Sequence, residues 1–200
     1  MLDLPTDLPA DLAPLAWLIG VWEGTGVIDY PVGDERLQGE FTQRVSFSHD
    51  GGPYLNYSAT ATFTGEDQAL SIPLIAETGF WRLSRPAAAE DPGPALLPPQ
   101  ADVITRTVDD VESLRGENGA FPIEVSLAHS DGILELYLGE INGPRVDIAS
   151  DAVVRAAGTK DYGAASRMYG LVDGHMLWAW DIAALGTPLR AHASARLAKV

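Results

Sequence analysis

Four histidines are the residues whose chemistry has to be weighed first, because the chain has no cysteine at all. Without thiols there is no disulfide framework, no thiolate-bound metal, no cysteine nucleophile and no Cys-x-x-Cys-His attachment motif. His49 precedes Asp50-Gly51-Gly52, His129 precedes Ser130-Asp131-Gly132, and His175 follows Asp173-Gly174. Turn residues of that kind place a side chain at the surface, so all three are expected to be solvated. Only His192 falls inside a strand-like run, Leu189-Arg190-Ala191-His192-Ala193-Ser194-Ala195-Arg196-Leu197. Its small neighbours leave room for a bulky group, and a neutral imidazole can ligate a metal. An exposed or merely hydrogen-bonded strand histidine is the competing reading, and alternation alone does not say which face of the run points inward.

A second cluster is Gly20-Val21-Trp22-Glu23-Gly24-Thr25-Gly26. A dinucleotide-binding loop needs a strand before its glycines and a helix after them; here the expected order is reversed. Gly20, Gly24 and Gly26 therefore read as bending points of a first strand, with Trp22 filling a closed barrel end. No Gly-x-Ser-x-Gly, paired-carboxylate or His-Glu-x-x-His signature is present, so serine hydrolase, glycosidase and zincin chemistry are set aside.

The elements that must position these residues are mostly strands. Alternation with period two runs through Phe41, Val45 and Phe47; through Leu55, Tyr57, Ala59, Ala61 and Phe63; through Ile123, Val125 and Leu127; and through Leu134, Leu136 and Leu138. Each set is expected to be the buried face of a half-buried strand. Asp50-Gly51-Gly52-Pro53, Thr64-Gly65, Asp131-Gly132, Asn142-Gly143-Pro144 and Asp173-Gly174 punctuate the runs as turns. Consecutive hairpins predict an all-β fold, an antiparallel up-and-down barrel of about ten strands that closes its own edges. A short helix is expected over Asp7–Leu18, with Asp7 or Asp11 near its start and Leu12, Leu15 and Leu18 on one face. The Pro-rich segment Arg85–Asp102 breaks the alternation and reads as a long surface loop, either a lid over the barrel mouth or a disordered insertion.

Composition bounds the rest. The length suits one domain spanning residues 1–200, and 20 glycines with 14 prolines fit many short strands. Thirteen basic against 28 acidic residues give a formal charge of −15, which repels nucleic-acid phosphates and anionic lipid. The N-terminal apolar run follows three acidic residues in place of a basic region and is too short to span a bilayer, so a cytoplasmic location is expected.

Taken together, the segments resemble one family. Gly20–Gly26 is similar to the Gly-x-Trp-x-Gly-x-Gly signature of nitrobindins, haem-binding barrels shaped like fatty-acid-binding proteins. The stretches 47–57, 77–82, 128–132 and 167–171 resemble family segments in their usual order, and 186–197 resembles the segment that carries the proximal histidine. The resemblance covers most of the chain except the Pro-rich segment, which is longer here than in typical members. It implies one non-covalent haem b per chain with His192 as axial iron ligand, and a ferric centre that isomerises peroxynitrite to nitrate and binds nitric oxide.

It also implies a cation near the haem propionates, Lys160 or Arg167, although both could equally be solvated surface charges. Ala193, where a larger aliphatic residue is common, and the Trp178 and Trp180 neighbourhood depart from the family pattern and could alter the pocket. Association of two barrels into a homodimer is left open. The alternative is a non-catalytic carrier of a fatty acid or other apolar molecule, with Arg196 and Ser194 meeting its polar head; a purely structural interaction domain is a third reading.

Overall fold

The computed structural model describes residues 8–64 and 71–200. Ten antiparallel strands follow one another around a closed barrel: β1 (Gly20–Val32), β2 (Glu35–Ser48), β3 (Leu55–Thr64), β4 (Ser71–Leu83), β5 (Phe121–His129), β6 (Ile133–Asn142), β7 (Arg145–Arg155), β8 (Tyr162–Val172), β9 (His175–Ala184) and β10 (Thr187–Lys199). Closure comes from β10 returning to β1, with Trp22 opposite Lys199 and Ile28 opposite Ala193. Gly24 and Gly26 face β10 at this seam, and a Cβ on either would run into the carbonyl oxygens of Arg196 or Ser194. Glycine is required there by close backbone approach.

The expected N-terminal helix is present but winds as a 3₁₀ helix over Ala10–Leu18; Asp7 lies outside the described residues. Pro14 inside it lacks the N–H that an α-helical ladder would use. A 3₁₀ turn has three residues, which aligns Leu12, Leu15 and Leu18 in one fully buried row. The helix packs against β4, β6 and α1 (Val108–Glu112). Just beyond it, the Trp22 indole Nε1 donates to the Leu18 carbonyl at 2.7 Å. This end of the barrel is therefore plugged.

The Pro-rich segment leaves from the same plugged end, within the connection from Leu83 to Phe121. Arg85 clamps Asp91 through two bonds of 2.6 Å, and Arg106 reaches Asp11 of the helix at 3.8 Å. Of the two readings of this surface loop the lid is not supported, since none of residues 85–102 lines the pocket at the opposite end.

One strand is inverted relative to expectation. On β6 the leucines at 134, 136 and 138 are 49%, 38% and 42% exposed, while Ile133, Glu135, Tyr137 and Ile141 point into the barrel. Both faces of this strand carry apolar side chains, so alternation does not fix its phase, and a one-residue shift exchanges the faces.

Candidate functional site

The end opposite the helix is an open, mostly apolar cup of about 250 Å³. Val32, Leu37, Leu74 and Leu185 form its rim and are exposed, whereas Phe41, Tyr57 and Tyr169 line it at depth and are buried. His192 stands in its wall.

How His192 comes to face inward is a matter of one extra residue. Leu197 and Ala195 are buried and Ala193 packs against the core, so strict alternation would send His192 outward with Ser194 and Arg196. On the β9 ladder, however, Asp181 faces Ala191 and the next residue, Trp180, faces Ala193. His192 is the unpaired residue of a β-bulge, which reverses the parity of the strand and turns its ring into the cup beside Ala193. The ring lies between two aromatic side chains, 5.5 Å from Tyr30 and 5.3 Å from Trp180 between centroids. Burial, and then the positive charge of Arg167, lowers its pKa to about 4, so it is neutral at pH 7. Its Nδ1 is buried without a hydrogen-bond partner among the described residues.

The inner end of the cup is polar. Arg167 on β8 donates to both carboxylate oxygens of Glu77 on β4, at 3.0 and 2.6 Å, and its Nε donates to the Tyr137 hydroxyl at 3.1 Å. Tyr57 also donates to Glu77, at 3.0 Å. Behind this pair, Glu135 accepts from Tyr137 at 2.7 Å and from Tyr162 at 3.0 Å. His129 bridges the two carboxylates, its Nδ1 3.4 Å from Glu77 and its Nε2 2.8 Å from Glu135, the latter out of line for a hydrogen bond. Burial would push the Glu77 carboxyl up, but the adjoining Arg167 charge and hydrogen bonds, with His129, hold it below the ordinary range. Charges this deep persist only because each meets an opposite charge and directed hydrogen bonds.

Placement of the expected residues divides sharply. His192 and Arg167 both line the cup, and Arg167 is buried, not solvated. Lys160 is exposed on the turn between β7 and β8; the next residue, Asp161, accepts through its carbonyl from the Leu185 N–H at 3.0 Å, so this turn adjoins the rim. Ser194 and Arg196 are on the outer surface, so they cannot meet a head group inside the barrel, and Arg196 lies against His175. His49 and His175 are half-buried near turns, but the solvated reading fails for His129, which is buried in the ionic cluster. Glu77, Glu135, Tyr137 and Tyr162 are absent from the sequence-based site, and Tyr57 is expected there only as a buried strand residue. Only Glu135, a charge between alternating leucines, carried a signal. Trp178 and Trp180 both line the cup, and the Trp178 indole donates to Gln43 at 2.7 Å.

Residues 11–199 match the family described as THAP4-like, heme-binding beta-barrel domain. A protein named peroxynitrite isomerase from Leifsonia xyli subsp. xyli (strain CTCB07) is 58% identical over 199 residues, covering 100% of this chain and 99% of the relative. Another of the same name, from Clavibacter michiganensis subsp. michiganensis (strain NCPPB 382), is 54% identical over 200 residues and 100% of both chains. Among solved structures, the crystal structure of Rv2717c from M. tuberculosis superposes with a TM-score of 0.66 at 24% identity over 99% of each chain, a likeness of fold.

Proposed function

This chain belongs to the THAP4-like, heme-binding β-barrel (nitrobindin) family, and from that premise we propose that it holds one haem b non-covalently through His192 and isomerises peroxynitrite to nitrate. The observation that carries the reading is the bulge that turns a neutral imidazole into an apolar cup. A neutral imidazole has one lone pair to give a metal, as the axial histidine of a haem protein does.

Bound haem would supply a Lewis-acidic, redox-active ferric centre with a coordination position left for a small ligand. The chain's own groups do the remaining work. His192 would hold the metal, and Tyr30 and Trp180 flank its ring. Ile28, Phe41 and Ile182 give the cup apolar walls. At the inner end the charges of Glu77 and Arg167 oppose each other, so this pair leaves no free cation to trap an anionic substrate or product. The carrier alternative loses its proposed head-group contacts, because Ser194 and Arg196 are exposed on the outer surface. We assign the propionate-facing role to Lys160, which is exposed beside the rim, and not to Arg167. The same ferric centre would supply a binding position for nitric oxide.

Purified protein reconstituted with haemin is expected to show a Soret band and to speed peroxynitrite decay to nitrate, and His192→Ala to lose most of both while Ser194→Ala, on the outer face, keeps them. A Soret band unchanged in His192→Ala would overturn the assignment.

A further inference from the structure

A metal-ligating histidine is usually oriented by a hydrogen bond from its second ring nitrogen to a carboxylate, carbonyl or water. Among the described residues, no protein group partners Nδ1 of His192 or Nε1 of Trp180 beside it. His192 is the bulged residue with no opposite number on β9, so the bulge sets the side of the sheet its ring faces but no ladder partner flanks it there. What fixes the plane of the ring must come from packing against side chains.

Trp180 supplies that packing and is itself fixed from below. Its ring lies 5.3 Å from His192 at an interplanar angle of 35°, and the Arg167 guanidinium sits 3.8 Å from the centroid of the same indole. Arg167 cannot swing away, because Glu77 holds both terminal nitrogens and Tyr137 holds Nε. Glu77 is in turn held by Tyr57, and Tyr137 bonds to Glu135, which Tyr162 holds from the other side. A planar cation over an indole face is attracted by the ring's quadrupole, and a guanidinium in a rigid fork of hydrogen bonds is a fixed platform for it.

We propose that Arg167 is a positioning residue for His192, acting through Trp180, so that a stack of guanidinium, indole and imidazole replaces the hydrogen bond that normally orients a ligating histidine. The buried ionic cluster then has a use: it anchors the base of the stack. The proposal rests on His192 being the haem ligand, but the stack itself exists in the chain without haem.

The test uses two variants of the full chain. Arg167→Met with Glu77→Gln removes the cation without leaving its main partner charged, and Trp180→Leu removes the middle of the stack while leaving the Arg167–Glu77 pair in place. In the haem-free protein, wild type is expected to show nuclear Overhauser contacts between Trp180 and His192 ring protons, and the paired variant to lose them. After loading with haemin, transfer of haem to apomyoglobin is expected to be about 10-fold faster in either variant, with the ferric electron paramagnetic resonance signal altered in the same direction. Combining all three substitutions is expected to add little to Trp180→Leu alone, since both act along one path.

Retained ring contacts with unchanged haem transfer in the folded paired variant would overturn the proposal, as would full additivity of the two effects. Should the paired variant not fold, an unchanged signal and transfer rate in Trp180→Leu would overturn it equally. A wild-type chain that takes up no haemin, yet shows the ring contacts and loses them in the paired variant, would refute the proposed function while leaving the positioning of His192 by Arg167 supported.

Discussion

The plugged end of the barrel is closed by residues 12 to 22, a continuous stretch in which three leucines and an indole stack within four turns of chain, whereas the wall of the cup at the other end is drawn from seven strands, β1–β4 and β8–β10. Local closure is set mainly by short-range spacing, a 3₁₀ row and one indole-to-carbonyl bond, with the row seated on β4, β6 and α1. The cup depends on register across the whole sheet, because it exists only where side chains far apart in sequence fall at one level of the barrel. The contrast teaches that damage to the plugged end should cost stability and spare ligand binding, and damage to the cup wall the reverse. The ionic floor of the cup is the exception built into that rule.

That exception gives the largest expected effect. Arg167→Met alone leaves Glu77 and Glu135 without their cation, and breaking a buried pair from one side costs about 3–5 kcal/mol. Urea unfolding should show the loss, and most of it should return when Glu77→Gln is added; no recovery would mean that the guanidinium packs without mattering as a charge. Trp22→Ala should cost about 3–5 kcal/mol as well, through lost packing and the broken bond to Leu18. The folded remainder should keep a wild-type Soret band, and a spectrum changed as much as the stability would erase the distinction between the two ends.

A smaller effect separates the ends by pH. In the haem-free protein the pKa of His192, about 4, lies below the ordinary 6.5, so between these values the unfolded chain takes up a proton that the folded chain refuses. Stability from this group is fully present above about pH 6.5 and is lost as pH falls toward 4, by up to roughly 3 kcal/mol. The measurement is the difference in urea midpoint between wild type and His192→Gln across that window, which should narrow as the pH drops. A difference independent of pH would mean that the folded ring titrates like an exposed one. The smallest effect is on the outer surface, where Leu136→Thr should change stability by less than about 0.5 kcal/mol. A loss of several times that would mean that the leucine face of β6 is covered.

Much of the fold was legible because its signals are local. Phe41, Val45 and Phe47, or Ile123, Val125 and Leu127, alternate against polar neighbours and are buried as expected. Asp173 and Gly174 both take positive φ, as their turn chemistry requires. His192 was legible as a candidate because it alone stood within a strand run, but its direction was not, and β6 was read in the wrong phase for a related reason. A period of two carries no absolute phase when both faces hold apolar or small residues, and one unpaired residue reverses it without leaving a mark on composition.

The sequence by itself determined the strand rhythm, the leucine row of the N-terminal helix, and the exclusion of every chemistry that needs a thiol. Only the tertiary structure decided that His192 looks inward, that Glu135 does so in place of three leucines, and that His129 is buried. Periodicity and turn chemistry act between near neighbours, so they can be read in order along the chain. A bulge is defined by the strand across from it, and a charge can be buried only where β4, β5, β6 and β8 bring its partners together.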